Sequence, residues 1–238
     1  MNDPAAIRGG PGETAPAAAP LSAVGRGRLA LTFDIEHPDR PHWRPDTTDR
    51  LLDILAATGI RATFFIQGRW AEANPAVARR IADEGHLVGS HSFFHASMPL
   101  LSDSGLEEDM TRATAAISAS TGMDPRPWLR LPFGHGVGDP RVMAAIERLG
   151  YRHVGWDVDP RDWDPRSTAQ VIESEIERVA MSRATSVVVL HGWPSGTVPA
   201  VAAVIEALRV RGVEFVTVDQ LADDELPAGI PSGPETPV

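Results

Sequence analysis

The sequence predicts an α/β fold built as an incomplete (β/α) barrel. Three observations carry this expectation. Short apolar or β-branched runs alternate with longer segments at helical spacing along most of the chain, which implies parallel strands joined by right-handed crossovers. Seven strand candidates can be marked, one short of a full eight-stranded barrel. No Gly-x-Gly-x-x-Gly follows the first strand and no Gly-Lys-Ser/Thr loop exists, so an open nucleotide-binding sheet has no support.

The strand candidates, in order, are 28–33, 61–66, 86–90, 128–131, 153–156, 186–190 and 214–218. Each is a short, mainly apolar or β-branched run. Between them, apolar residues recur at helical spacing over 47–58, 74–84, 104–120, 140–149, 168–181 and 197–211. Gly59, Gly85, Gly122, Gly150 and Gly212 each stand just past such a stretch, where a left-handed cap ends a helix.

With 238 residues the chain suits one large domain. Only the ends are Pro/Gly/Ala-rich without periodicity, so 1–26 and 225–238 are expected as disordered tails around a domain at 27–224. The net charge of −10 argues against nucleic acid and anionic membranes as partners. The absence of cysteine removes disulfides, thiolate ligands and a Cys nucleophile, so any metal must be held by His and carboxylates. No signal-peptide pattern or bilayer-length apolar run is present, which gives a cytoplasmic expectation, or a secreted one if the start is incomplete. Oligomeric state has no signature.

Polar, titratable and aromatic residues gather at the carboxyl ends of the strand candidates, where barrel chemistry is placed. The first strand runs into Asp34-Ile35-Glu36-His37, the third into His91-Ser92-Phe93-Phe94-His95, and the fourth into Arg130-Leu131-Pro132-Phe133-Gly134. Asp157 to Trp163 follow the fifth, and the sixth ends in His191-Gly192, with Trp193 and Pro194 forming an unusual rim beyond it. Two imidazoles four residues apart, His91 and His95, can reach one cation.

Three of these motifs, His-Ser-x-x-His, Arg-x-Pro-Phe-Gly and the paired Asp-Trp, occur in the order found in the NodB-type polysaccharide deacetylases, carbohydrate esterase family 4. The chain resembles that family from about Leu29 to Leu221. The resemblance implies a distorted, incomplete (β/α)7 barrel and a metal-dependent hydrolase that removes acetyl groups from N-acetylated amino sugars or their oligomers. It implies Asp34 as general base, His191 as general acid, and Arg130 paired with Asp162 as the tether orienting the base. Pro132, Phe133 and Trp163 would frame the acetyl group, with the Phe133 amide helping to hold the oxyanion. The residue after His191 is commonly acidic in relatives, where this chain has Gly192.

One position departs from the pattern. The family's first motif usually has two consecutive aspartates, the second a metal ligand, and here that residue is Ile35. In extended chain, residues i and i+2 share a side, so Glu36 can return to the pocket that Asp34 faces. Glu36, His91 and His95 would then hold a divalent metal, zinc first, with cobalt, nickel or manganese also admitted. The rival readings are an allantoinase-like amidohydrolase acting on a small amide and a catalytically inactive carbohydrate-binding domain.

Overall fold

The computed structural model describes residues 27–36, 44–227 and 229. The N-terminal stretch expected as a tail lies outside them, as do His37 and His42. Among these residues seven strands are seen: β1 (Arg28–Ile35), β2 (Thr63–Ile66), β3 (Leu87–Ser90), β4 (Trp128–Leu129), β5 (Arg152–His153), β6 (Thr185–His191) and β7 (Glu214–Val216). Every pairing among them is parallel, in the order β5-β4-β3-β2-β1-β6, with β7 against the first residues of β1. The chain just after β5 then pairs with the free edge of β6 through a single bridge, Val158 to Val188. A sheet curled round and closed by one bridge is the incomplete barrel that the alternating pattern predicts.

Among the described residues seven α-helices cover it: α1 (Thr47–Thr58), α2 (Gly68–Ala73), α3 (Pro75–Asp83), α4 (Asp103–Thr121), α5 (Pro140–Arg148), α6 (Ala169–Ala180) and α7 (Thr197–Val210). The sequence reading misses α2, whose six residues are too few to show a period. It also makes β4 and β5 too long, because the chain leaves the ladder after two residues at each. Gly59 and Gly122 end α1 and α4 with φ of 67° and 77°, the left-handed caps expected of them.

β1 is buried on both faces, as the central strand of a parallel sheet must be. Its alternation divides the molecule. Leu29, Leu31, Phe33 and Ile35 join the large core cluster packed with the helices. Ala30 joins Phe65, Val154 and Val187 in a separate interior cluster, and Thr32 and Asp34 continue that inner row with polar groups. The inner row therefore points the end of β1 at the barrel mouth. The chain after β7 returns along the fold: Glu225 accepts from Thr185 at 2.7 Å, and Gly155 donates its N–H to the Pro227 carbonyl at 2.7 Å. Glu225 and Pro227, assigned by sequence to the C-terminal tail, are thus bonded to the barrel.

Gly89 shows how tightly the interior is filled. A Cβ there would lie 2.7 Å from the Phe65 ring and 3.1 Å from Trp128 Cβ. Phe65 in turn lies beneath a buried guanidinium, that of Arg130, 4.3 Å from the ring centre. Gly89→Ala should lower unfolding free energy by about 1–3 kcal/mol through overpacking. Urea denaturation checks this, and an unchanged midpoint would show that the ring has room to move.

Candidate active site

The end of β1 supplies two carboxylates to one side. Asp34 and Glu36 face the barrel mouth, while Ile35 between them is fully buried on the helix side. Ile35 fits because Gly192 carries no side chain: a Cβ at 192 would lie 2.3 Å from Ile35 Cδ1. The isoleucine that breaks the expected motif therefore occupies core, not the ligand position. Glu36 places Oε2 2.6 Å from His95 Nε2 and 3.9 Å from His91 Nε2. Its other oxygen, Oε1, accepts from the Trp193 indole at 3.1 Å.

The histidines stand on the loop after β3. His91 Nδ1 lies 2.9 Å from the Arg130 carbonyl. A carbonyl only accepts, so Nδ1 carries the proton and Nε2 presents a lone pair to the mouth, 3.7 Å from Asp34 Oδ2. Burial pushes the His91 pKa down and favours this neutral form. The loop is held from below by α4, where Asp109 accepts the N–H groups of Phe93 at 2.9 Å and Phe94 at 3.0 Å. Ser92 and His95 have φ of 64° and 59°, and the Ser92 hydroxyl accepts the His95 N–H at 2.9 Å. Left-handed backbone costs such residues about 1–3 kcal/mol, and it recurs at Phe133 and Arg161, also in mouth loops.

Glu36, His91 and His95 offer one ligand atom each, all within 4.8 Å of one another. One oxygen and two nitrogens form the donor set of a catalytic zinc-type site with positions left open. The ionisation of Glu36 and His91 suits it. Burial works against the Glu36 charge, yet the hydrogen bond and charge of His95 outweigh this and hold its pKa at about 2. A carboxylate and a neutral, correctly oriented imidazole are the forms a cation requires. The three residues fit a divalent cation.

Arg130 is fully buried, and Nη1 donates to Asp34 Oδ1 at 2.9 Å and Thr32 Oγ1 at 2.7 Å. Its remaining nitrogens bond the carbonyls of Val154 and Gly155. Here the sequence expectation needs correction: Asp162 does not pair with Arg130. The guanidinium finds its partners inside the barrel, whereas Asp162 lies beside the end of β6. There it accepts from His191 at Nδ1 (2.7 Å) and at the backbone N–H (2.8 Å), and from Thr197 Oγ1 at 2.6 Å. Burial disfavours the His191 charge, but Asp162 overrides it and lifts the pKa to about 10.

Phe133 sets its half-exposed ring edge-on to His95, with centres 4.5 Å apart, and Pro132 beside it is buried. Trp163 neighbours Asp162 and stacks with the Arg161 guanidinium at 4.9 Å. His86, expected as framework, accepts the Ala62 N–H at 3.2 Å far from the mouth. His135 and His153 bond Ser97 and the Leu131 N–H. Sequence reasoning missed Asp109, Thr197 and the role of Trp193. Only Asp109 left a signal, a carboxylate on the apolar stripe of α4 beside Leu106, Met110 and Ala113.

Known proteins place this geometry. The sequence profile described as polysaccharide deacetylase matches residues 22–154, and a chitooligosaccharide deacetylase of Bradyrhizobium sp. (strain ANU 289) is 30% identical over 83% of this chain and 91% of its own length. The chain belongs to the polysaccharide deacetylase family. A family 4 carbohydrate esterase from Streptomyces lividans, solved with acetate, superposes with a TM-score of 0.69 at 28% identity, covering 79% of this chain and 91% of that one. A Bacillus anthracis CE4 pseudoenzyme, in a mutant form with restored activity, superposes at 0.72 with 26% identity, covering 86% of this chain and 69% of that one. The expected family, barrel and hydrolase class agree with this membership. Because the fold also houses a pseudoenzyme, the reaction must be argued from the residues.

Two outcomes follow for the site's scaffolding. Asp109→Ala strands two loop N–H groups and should cost about 1–3 kcal/mol. The exposed neighbour change Glu108→Ala should stay within about 0.5 kcal/mol, and chemical denaturation compares the two. The His191 pKa is raised in the folded state, so its stabilising contribution is whole below the ordinary value of 6.5 and fades as pH climbs toward about 10. In chelator-treated protein, unfolding midpoints from pH 6 to 10 should therefore decline, and Asp162→Asn should flatten that decline; equal slopes would contradict the assignment.

Proposed function

We propose that this protein hydrolyses the acetamide of an N-acetylated amino sugar, alone or in an oligomer, with Asp34 as general base and His191 as general acid. One observation carries the reading. Two acid–base devices, the buried pair Asp34 and Arg130 and the partly buried pair His191 and Asp162, flank a single Glu36, His91 and His95 ligand set. Structural ion pairs have no need to converge on such a set.

A divalent cation held there, zinc by the donor set with cobalt, nickel or manganese as substitutes, lowers the pKa of water and polarises an acyl carbonyl. Arg130 occupies Oδ1 of Asp34 and turns Oδ2 toward His91, leaving that oxygen to take the proton from the attacking water. The water oxygen bonds to the acyl carbon, and the C–N bond breaks as the amine leaves. Asp162 keeps His191 in the imidazolium form near neutral pH, so the proton that the departing amine needs is in place before the bond cleaves. In this reading the Phe133 peptide N–H donates to the oxyanion, and Pro132, Phe133 and Trp163 frame the acetyl methyl group. The products are acetate and a free amino sugar.

The relatives named for chitooligosaccharides and for peptidoglycan N-acetylglucosamine support a sugar polymer as substrate. Among the described residues no helix is long and apolar enough to cross a membrane. Acetate release from N-acetylglucosamine oligomers should require zinc, vanish with chelator and return on adding metal back. Glu36→Ala should remove bound metal, whereas Asp34→Asn should keep it and lose about 10²–10⁴-fold in kcat. Metal-loaded protein that releases no acetate from any acetylated saccharide would overturn the proposal.

A further inference from the structure

Glu36 differs from an aspartate ligand by one more rotatable bond, and each free torsion is entropy that a fixed ligand must give up. Something must hold the longer arm. The Trp193 indole does so, donating to Oε1 at 3.1 Å and leaving Oε2 as the oxygen turned to His95 and His91.

We propose that Trp193 is a positioning residue for the cation ligand, setting which Glu36 oxygen faces the histidines. The inference rests on the Glu36, His91 and His95 reading and extends it to a residue outside the motifs. Its chemistry suits the task. An indole N–H is a donor with no lone pair to offer, so it neither competes for the cation nor accepts a proton. Being neutral, it leaves the carboxylate its full charge, which a lysine or arginine at the same place would offset.

The donor is itself fixed. Trp193 is buried, and its carbonyl accepts from Thr47 Oγ1 and the Arg44 N–H, both at 3.3 Å. The preceding Gly192 donates its N–H to the Asp34 carbonyl at 3.0 Å, and its own carbonyl accepts from Thr48 Oγ1 at 2.9 Å. The turn after β6 is thereby tied to β1 and to the start of α1. Gly192 serves twice, since its missing side chain also admits Ile35. The Asp-Ile-Glu arrangement and the Gly-Trp turn thus fit one another: Ile35 fills the space beside Gly192, and Trp193 reaches the displaced ligand.

The test is zinc affinity, measured by competition with a chromophoric chelator. Wild type should bind one zinc, and Trp193→Phe, which keeps a ring but loses the donor, should bind it about 10- to 100-fold more weakly. In a Glu36→Asp background, whose arm is one carbon shorter and cannot span from the indole to the histidines, the same change should matter by less than about 2-fold. Equal losses in both backgrounds, or wild-type affinity in Trp193→Phe, would overturn the role of Trp193 and leave the ligand set standing. A wild-type chain that binds no zinc would remove the ligand set and this proposal together. Should Trp193→Phe fail to fold, a ¹⁵N-tryptophan spectrum decides: one of the six indole signals should move both on Glu36→Gln and on zinc addition, and no such signal would reject the idea.

Discussion

The site depends on one buried cation, the guanidinium of Arg130. A charge with no solvent access is tolerated only when it is paired and its donors are filled, and here Asp34, Thr32, Val154 and Gly155 fill them while Phe65 lies against its face. Those partners come from β1, β2 and the chain after β5, so one side chain links strands otherwise joined edge to edge. Its backbone matters as much, since the Arg130 carbonyl sets the tautomer of His91. Removing Arg130 would leave Asp34 buried without its cation and break the link between β1 and the chain after β5.

Around that centre the mouth separates protonation states by environment. Burial holds His91 neutral, whereas the carboxylate of Asp162 holds His191 charged, although both are imidazoles at parallel strand ends. Glu36 stays ionised although burial opposes its charge, because the hydrogen bond and charge of His95 outweigh it. Two imidazoles at one mouth are therefore driven toward opposite charge states. The left-handed residues Ser92, His95, Phe133 and Arg161 lie in the loops that aim these groups, so backbone strain is concentrated where orientation matters.

Much of this was legible in the residue pattern. Parallel strands and their order along the chain followed from the alternation of short apolar runs with helical stretches, and α1 was bounded correctly at 47–58 with Gly59 after it. The return of Glu36 to the side of Asp34 followed from the two-residue period of a strand. The Arg130 and Asp162 pairing did not hold, because charge complementarity says that two groups could meet and not which partner lies nearer. Segment α2 and the short ladders of β4 and β5 were invisible or misjudged, being too brief for periodicity to register.

By itself, then, the sequence determined which chemistry was available: His and carboxylate ligands without cysteine, an acidic surface, and reactive groups at strand ends. Those are properties of composition and local period. Partnership was decided only by the tertiary structure. Asp162 went to His191, Asp109 to the histidine loop and Trp193 to Glu36, across separations of 29, 16 and 157 residues. Such pairings depend on how far the sheet curls and how the loops cross its mouth, and no local pattern encodes either.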